Sequence, residues 1–244
     1  MSHKRKILIN CTDVRFDILE NYLDKEILIG SYACDNYFIK ILEFLNERRL
    51  RLKSYELVVP ILSESQIAIL KSELFKKTAK KAKKIVVNDY GTLQLLSQEN
   101  YTCRLGRLLF HQYRDSRYAE VENRQVHIQY SALTELLIRK GCKFDSMEID
   151  LVSKNMEIDR DLDIYIHYPL RLLSVTRICE FCGETEGQSV RFAAEKKCNL
   201  ECMSVYIQVE NTSCVKRGRA VYEKLNEDYE NICKDQNLIV EERI

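Results

Sequence analysis

Short apolar runs that alternate with helix-like segments constrain the fold of this chain more than any other feature. The first four runs lie at residues 6–10, 27–30, 57–60 and 85–88. Each precedes a segment with the hydrophobic spacing of a helix, and the clearest of these segments spans Tyr37 to Leu50. Uninterrupted apolar runs are typical of strands that are buried on both faces of a parallel sheet. The first part of the chain therefore predicts repeated strand–helix units.

The same alternation continues less regularly through the rest of the chain. Further strands are predicted at residues 103–106, 144–151, 163–167 and 204–208. A helix is predicted from Gly218 to Cys233. Eight strands that alternate with helices predict an α/β fold, a TIM-barrel-like (β/α) domain that is irregular or incomplete in places; an open doubly wound sheet is the alternative. No feature divides the chain, so we expect residues 1–244 to form a single domain.

The charges of the chain are balanced, with 38 basic and 37 acidic residues. No global field therefore favours nucleic acid or an anionic membrane as a partner. The strongest basic run, Lys76 to Lys84, lies at helical spacing and is interpreted as an exposed helix face. No apolar run approaches the roughly 20 residues that span a bilayer, and the first residues do not have the pattern of a signal peptide. We expect a cytoplasmic protein without a membrane span.

Four of the ten cysteines lie close together in the loop 176–203. They form two pairs, Cys179-x-x-Cys182 and Cys198-x-x-x-Cys202. Cytosolic thiols are kept reduced, so a disulfide framework is not expected. From spacing alone, zinc is the first hypothesis, an iron–sulfur cluster the second, and a redox pair at Cys179 and Cys182 the third. Four unliganded thiols are the remaining interpretation.

Polar residues collect where the predicted strands end, which is where sites lie in a (β/α) barrel. The candidate catalytic residues at these ends are His167, Asn88, Asp89, Glu148 and Asp150. His167 could serve as an acid, a base or a hydrogen-bond donor, or it could be a packing residue. Glu148 and Asp150 have alternate spacing and share one strand face. One of them could be a base, or both could be buried carboxylates paired with Arg104 or Arg107.

Several segments follow one another in the order of a known family's landmarks. They are residues 85–91, 105–109, 114–117, 167–169 and 176–179. In this order they resemble the collagenase-like peptidase superfamily, peptidase family U thirty-two, and within it the UbiV-like branch. The resemblance implies a (β/α)-barrel-like iron–sulfur protein. It also implies that the protein forms a heterodimer with a larger, related UbiU-like chain. Together the two chains would take part in oxygen-independent hydroxylation during ubiquinone biosynthesis.

The resemblance also implies a specific set of cluster ligands. In UbiV-like proteins one cysteine follows the second strand, the next lies in a Thr-Arg-x-Cys segment, and the last two form a C-x-x-x-C pair. Transferred to this sequence, the ligands of a [4Fe-4S] cluster are Cys34, Cys179, Cys198 and Cys202, with Cys182 as the alternative fourth ligand. Four thiolates leave no open iron position, which suits electron transfer or structural support.

The expected function is that of a subunit or accessory in such a hydroxylation or a related modification, with a small-molecule substrate possible. A second hypothesis is a zinc-stabilised, non-catalytic binding module. A third is a peptidase or RNA-modification partner in the same superfamily. The sequence contains no serine–histidine–aspartate order, Gly-x-Ser-x-Gly elbow or His-Glu-x-x-His helix, so proteolysis has no support from its residues.

Overall fold

A computed structural model describes most of the chain. The described residues are 6–47, 52–64, 66–109, 126–128, 132–150, 156–158, 163–176, 179, 198–204, 207–225 and 237–241. They contain the strands β1 (Ile7–Thr12), β2 (Glu26–Gly30), β3 (Ser54–Val59), β4 (Lys84–Val87), β5 (Cys103–Leu105), β6 (Val126–Ile128), β7 (Phe144–Asp150), β8 (Met156–Ile158), β9 (Asp163–Tyr168), β10 (Leu170–Val175), β11 (Ile207–Gln208), β12 (Cys214–Arg217), β13 (Ala220–Lys224) and β14 (Asn237–Glu241). The α-helices in the same residues are α1 (Asp35–Glu47), α2 (Glu73–Ala79), α3 (Tyr90–Gln98) and α4 (Ala132–Arg139). Three 3₁₀ segments lie at Phe16–Tyr22, Ile67–Lys71 and Glu201–Ser204.

Eight of these strands close into one parallel barrel. Their order around the barrel is β1, β2, β3, β4, β5, β7, β9 and β14, and β14 then pairs with β1. The last pairing places Ile7 opposite Leu238, and both neighbours of β14 run parallel to it. The prediction of a TIM-barrel-like fold is therefore confirmed, and the alternative of an open sheet is wrong.

The eighth barrel strand is not the one predicted from the sequence. Residues 237–241 close the barrel, whereas β11, within the predicted strand 204–208, pairs antiparallel with β12 in a separate sheet. The helix predicted from Gly218 to Cys233 is also wrong over its first part, because Ala220–Lys224 is a strand. The sequence Asn-Leu-Ile-Val-Glu of β14 is an uninterrupted apolar run, as a doubly buried strand requires. Edge strand β11, in contrast, is exposed at both residues.

Alternation along the barrel strands sorts side chains into an inner and an outer layer. Inner apolar residues from six strands and the β2–α1 loop contact one another: Leu8, Leu28, Tyr32, Val58, Val86, Tyr165 and Ile239. The outer layer joins the strands to helices α1, α2 and α3, with Phe38, Phe75 and Leu93 fully buried. The barrel wall is thus buried on both faces, which explains its uninterrupted apolar runs.

A four-stranded antiparallel sheet, which we call the cover sheet, follows the barrel strand β9. It consists of β10, β13, β12 and β11 in that order. Its apolar face packs on the loops that follow β2 and β5, through Leu172 and Tyr222 on the sheet and Ala33 and Leu108 on the loops. These loops lie at the carboxyl ends of the strands, so the cover sheet lies across the carboxyl end of the barrel. No helix in the described ranges is long and apolar enough to cross a membrane.

Candidate functional site

The barrel interior contains buried charges rather than a purely apolar filling. Arg104, on β5, is fully buried and donates a hydrogen bond from Nη2 to Glu56 Oε1 at 3.1 Å. Its Nη1 lies 3.6 Å from Glu148 Oε1, and its guanidinium lies 3.7 Å from the centroid of the Tyr165 ring. One cation is therefore shared by two carboxylates and an aromatic face.

Arg107, in the loop after β5, makes a second buried charge cluster nearer the cover sheet. Its Nη2 forms an ion pair with Asp150 and donates to the carbonyl oxygen of Leu170 at 2.9 Å. Its Nη1 lies 4.0 Å from Glu241 Oε1, which also accepts a hydrogen bond from Asn10 Nδ2 at 2.7 Å. The loop after β5 is thereby connected to both β7 and β14.

Between these two arginines lie three side chains that we call the mouth cluster: Tyr32, Glu148 and His167. Tyr32 Oη donates to Glu148 Oε2 at 2.8 Å. His167 Nε2 lies 3.2 Å from the same oxygen and 3.3 Å from Tyr32 Oη. All three residues have no exposed surface. The structure therefore brings together two of the residues predicted from strand ends, Glu148 and His167, and adds Tyr32.

Burial shifts the ionisation of the mouth cluster. Burial raises the pKa of Glu148, while the nearby Arg104 guanidinium lowers it. Burial lowers the pKa of His167 well below its usual value, and the Arg107 charge acts in the same direction. A buried neutral imidazole next to a carboxyl group is an arrangement that can exchange a proton. The group is thus chemically suited to acid–base work.

The other three candidate catalytic residues have structural partners. Asp150 pairs with Arg107 and accepts a hydrogen bond from the Leu172 amide at 3.1 Å. Asp89 is the N-cap of α3, where its carboxylate accepts from the Thr92 amide at 2.7 Å. Asn88 donates to the carbonyl oxygen of Val59 at 2.9 Å. These contacts explain all three residues as parts of the barrel rim.

The turn after β2 fixes the position of Cys34. Gly30 has a φ of 128°, and a Cβ atom there would lie 2.1 Å from the carbonyl oxygen of Val58. Ser31 Oγ then accepts hydrogen bonds from the amides of Ala33 at 3.1 Å and Cys34 at 2.7 Å. The Tyr37 amide donates to Cys34 Sγ at 3.4 Å. Cys34 is therefore held, almost fully buried, at the beginning of α1.

Three of the predicted ligand cysteines lie near one another at this rim. Interaction with the Cys179 side chain is the largest cause of a raised pKa at Cys202, followed by burial. The charge of Cys34 acts on Cys202 as well, so the barrel cysteine lies near the two that follow β10. Burial raises the pKa of Cys34 to about 12. The thiols of Cys34 and Cys202 are thus neutral, and binding of a metal would release their protons.

The fourth predicted ligand, Cys198, lies on the same segment as Cys202. Its Sγ accepts a hydrogen bond from the Leu200 amide at 3.4 Å. Cys182, the alternative ligand, lies outside the described residues. Within the described ranges, no three histidine, cysteine, aspartate or glutamate side chains converge on a single ion position.

Sequence reasoning missed two groups at this end of the barrel. Tyr32 lies between Gly30 and Cys34. Its position in the loop after a predicted strand is the one feature of the sequence that could have suggested a role for it. Asp13, after β1, accepts from Ser31 Oγ at 2.6 Å through its side chain and from Arg217 Nε at 3.0 Å through its carbonyl oxygen. Arg217 belongs to the cover sheet, so no local pattern could connect it to Asp13.

Comparisons with known proteins add no family to this description. No protein-family model, curated protein or solved structure matches the chain. The resemblance to UbiV-like proteins stays a prediction from motif order. The function is therefore argued from the residues and their contacts.

Proposed function

We propose that this chain is an iron–sulfur protein that holds a [4Fe-4S] cluster at the carboxyl rim of the barrel. The proposed ligands are Cys34, Cys179, Cys198 and Cys202. One observation carries the proposal: Cys34 and Cys202 lie beside the same turn of the cover sheet. Cys202 Sγ would lie 3.7 Å from a Cβ atom at Gly218, and the next residue, Arg219, has its Nη1 3.1 Å from Oδ1 of Asp35, the residue after Cys34. Cys34 is far from the other three cysteines in the sequence, so only the fold can bring it close to them.

The chemistry of these donors is compatible with a cluster. All four proposed ligands are thiols, and soft thiolates suit iron–sulfur clusters and zinc alike. A zinc ion needs its four donors around one point, whereas a cluster is held at several corners of a larger body. The zinc alternative uses Cys182, which lies outside the described residues, so the resemblance to UbiV-like proteins is what favours a cluster over zinc. When bound, such a cluster would supply one-electron transfer.

The proposed role is that of a non-autonomous subunit or accessory in an oxygen-independent hydroxylation or related modification. The order of segments that resemble UbiV-like proteins supports this role, and a larger UbiU-like chain is the proposed partner. The mouth cluster adds an acid–base group beneath the cover sheet, as a reaction on a small molecule would need. The proposed place of this work is the cytoplasm, where the thiols would stay reduced.

The ligand set is tested by measuring iron in protein purified without oxygen. We expect brown wild-type protein with about four irons per chain, the content of one [4Fe-4S] cluster. Cys34→Ser should lose most of this iron, because it removes one of four ligands. Cys214→Ser is the matched control, since Cys214 lies on the cover sheet outside the proposed set, and it should keep the iron. Full iron content in Cys34→Ser would exclude Cys34 as a ligand.

The alternative functions predict different results in the same preparation. A zinc-stabilised binding module would give colourless protein with one zinc per chain, and Cys34 would be dispensable. Its ligands would then be Cys179, Cys182, Cys198 and Cys202, as their spacing alone predicts. Co-purification of a larger related chain would support the subunit role, whereas activity in a stable monomer would contradict it.

A further inference from the structure

The cover sheet closes the end of the barrel at which (β/α) barrels have their sites. Its strand β10 begins directly after β9, so the sheet is continuous with the strand that carries His167. Leu170, Leu172 and Tyr222 of the sheet are buried against the barrel loops. As a result the mouth cluster has no exposed surface, although it lies at the carboxyl ends of β7 and β9.

Polar contacts hold the cover sheet at several points on the barrel rim. The Leu172 amide donates to Asp150, and Arg107 donates to the carbonyl oxygen of Leu170. At the far end of the sheet, Arg219 Nη1 lies 3.1 Å from Asp35 Oδ1, at the beginning of α1. Together with the small apolar cluster of Ala33, Leu172 and Tyr222, these contacts join the sheet to the barrel loops and not to the main core around the helices. Such a connection can open locally without unfolding the barrel.

Beneath the cover sheet, two acceptor atoms of the mouth cluster form no hydrogen bond, His167 Nδ1 and Glu148 Oε1. His167 Nδ1 is buried and forms no hydrogen bond, while Nε2 faces the carboxylate of Glu148. A neutral imidazole carries one hydrogen, and the Glu148 carboxylate attracts it to Nε2. Nδ1 is then an acceptor that faces no donor. A buried polar atom in this condition costs free energy, which a ligand with an O–H or N–H group would recover.

The charges around the mouth cluster point to the same kind of ligand. Two guanidinium groups, Arg104 and Arg107, are surrounded by four buried carboxyl groups: Glu56, Glu148, Asp150 and Glu241. This interior has more acidic than basic groups, and burial raises the pKa of Glu56, Glu148 and Glu241. A ligand that donates hydrogen bonds fits such an environment better than an anion does.

We propose that the mouth cluster is a small-molecule site that accepts a hydrogen bond from a hydroxyl or ammonium group at His167 Nδ1, and that the cover sheet gates it. The sheet lifts to admit the molecule and closes over it. His167 then holds the proton-donating group of the ligand in a place without bulk water. Glu148 and Tyr32 orient the imidazole through Nε2.

A cluster bound by the cysteines would hold the cover sheet on the barrel. This part of the inference rests on the proposed function. Cys34 belongs to the barrel, whereas Cys179 follows β10. Cys202 Sγ would lie 3.7 Å from a Cβ atom at Gly218, in the turn between β12 and β13. A cluster held by these residues would join the far end of the cover sheet, where Val175 pairs with Ala220, to the barrel rim. Its loss should therefore raise the rate at which the site opens.

Diethyl pyrocarbonate tests this proposal, because it is a small reagent that acylates an unprotonated imidazole nitrogen. Labelling is followed by mass spectrometry of the peptide that contains His167, in the full chain with its iron. We expect slow labelling in the wild type, and labelling at least about tenfold faster in Cys202→Ser or after iron chelation, as a lowered opening free energy requires. Cys214→Ser, on the same sheet, should label like the wild type.

Hydrogen exchange of β3 and β4 distinguishes local opening from unfolding, since a folded barrel keeps these amides protected. Faster labelling with β3 and β4 still protected supports the gate. Fast labelling in the iron-loaded wild type would show that the sheet does not cover the site. Equally slow labelling in every preparation would overturn the gating. Wild-type protein without iron would refute the proposed function but not the gate. Faster labelling of His167 in Cys202→Ser alone would still support the gate.

Discussion

At the scale of single residues, the barrel interior depends on buried charges that are shared. Arg104 and Arg107 each face two carboxyl groups, so neither cation is left without a partner. Breaking one such pair costs more than its formation gains, because the remaining charge stays buried. From the sequence, Glu148 and Asp150 could be either a catalytic base or buried carboxylates paired with arginine. The structure gives Asp150 a paired role, and it gives Glu148 both an ion pair and a place in the mouth cluster.

His167 should make the stability of the protein depend on pH. Its folded pKa lies well below that of an unfolded histidine, so below about pH 6.5 the unfolded chain binds a proton that the folded chain does not. The free energy of unfolding should therefore fall as the pH falls. The wild type should lose up to about 1.4 kcal/mol per pH unit more than His167→Gln does. Urea unfolding of both proteins at pH 7 and pH 5.5 measures this difference. Equal losses in the two proteins would mean that His167 is protonated in the folded state.

At the scale of elements, turns after the strands carry the site. The loop after β2 supplies Tyr32 to the mouth cluster and Cys34 to the rim within three residues. The hydroxyl of Ser31 fixes this loop through the amides of Ala33 and Cys34. A glycine at position 30 makes the turn possible, because the backbone of β3 passes directly against it.

Gly30→Ala should destabilise the protein by at least about 2 kcal/mol, since the new methyl group overlaps the Val58 carbonyl and the backbone is strained. The matched control is Gly141→Ala. Gly141 also has a positive φ, of 85°, but nothing lies within 4 Å of its Cβ position, so only about 1 kcal/mol should be lost. Urea unfolding compares the two variants. Similar losses would show that β3 moves away to accommodate the methyl group.

At the scale of the whole molecule, the barrel closes only through its last strand. β14 pairs with β1 on one side and β9 on the other. Deletion of residues 226–244 should abolish cooperative unfolding in urea, because it leaves two parallel strand edges unpaired. Deletion of residues 242–244 keeps β14 and should retain the transition. A cooperative transition in the longer deletion would show that the barrel is stable when open.

Much of the fold could be predicted because its signal is local. Uninterrupted apolar runs predicted the first four barrel strands, and three more were found among less regular segments, so seven of the eight barrel strands were predicted. The eighth was misplaced because β11 and β14 are both short apolar segments, and only pairing with β1 and β9 distinguishes them. The cover sheet was missed for the same reason, since Ala220–Lys224 becomes a strand through its partners β10 and β12.

Local sequence patterns were enough to predict the strand–helix alternation, the barrel class and the candidate catalytic and ligand residues. Periodicity and residue type can be read from neighbouring positions. The sequence also predicted that Glu148 and Asp150 share one strand face. Only the tertiary structure decided which distant groups meet: Cys34 with Cys202, Tyr32 with Glu148 and His167, and the cover sheet with the barrel mouth. Barrel closure creates these neighbours, because it places the ends of all eight strands at one rim.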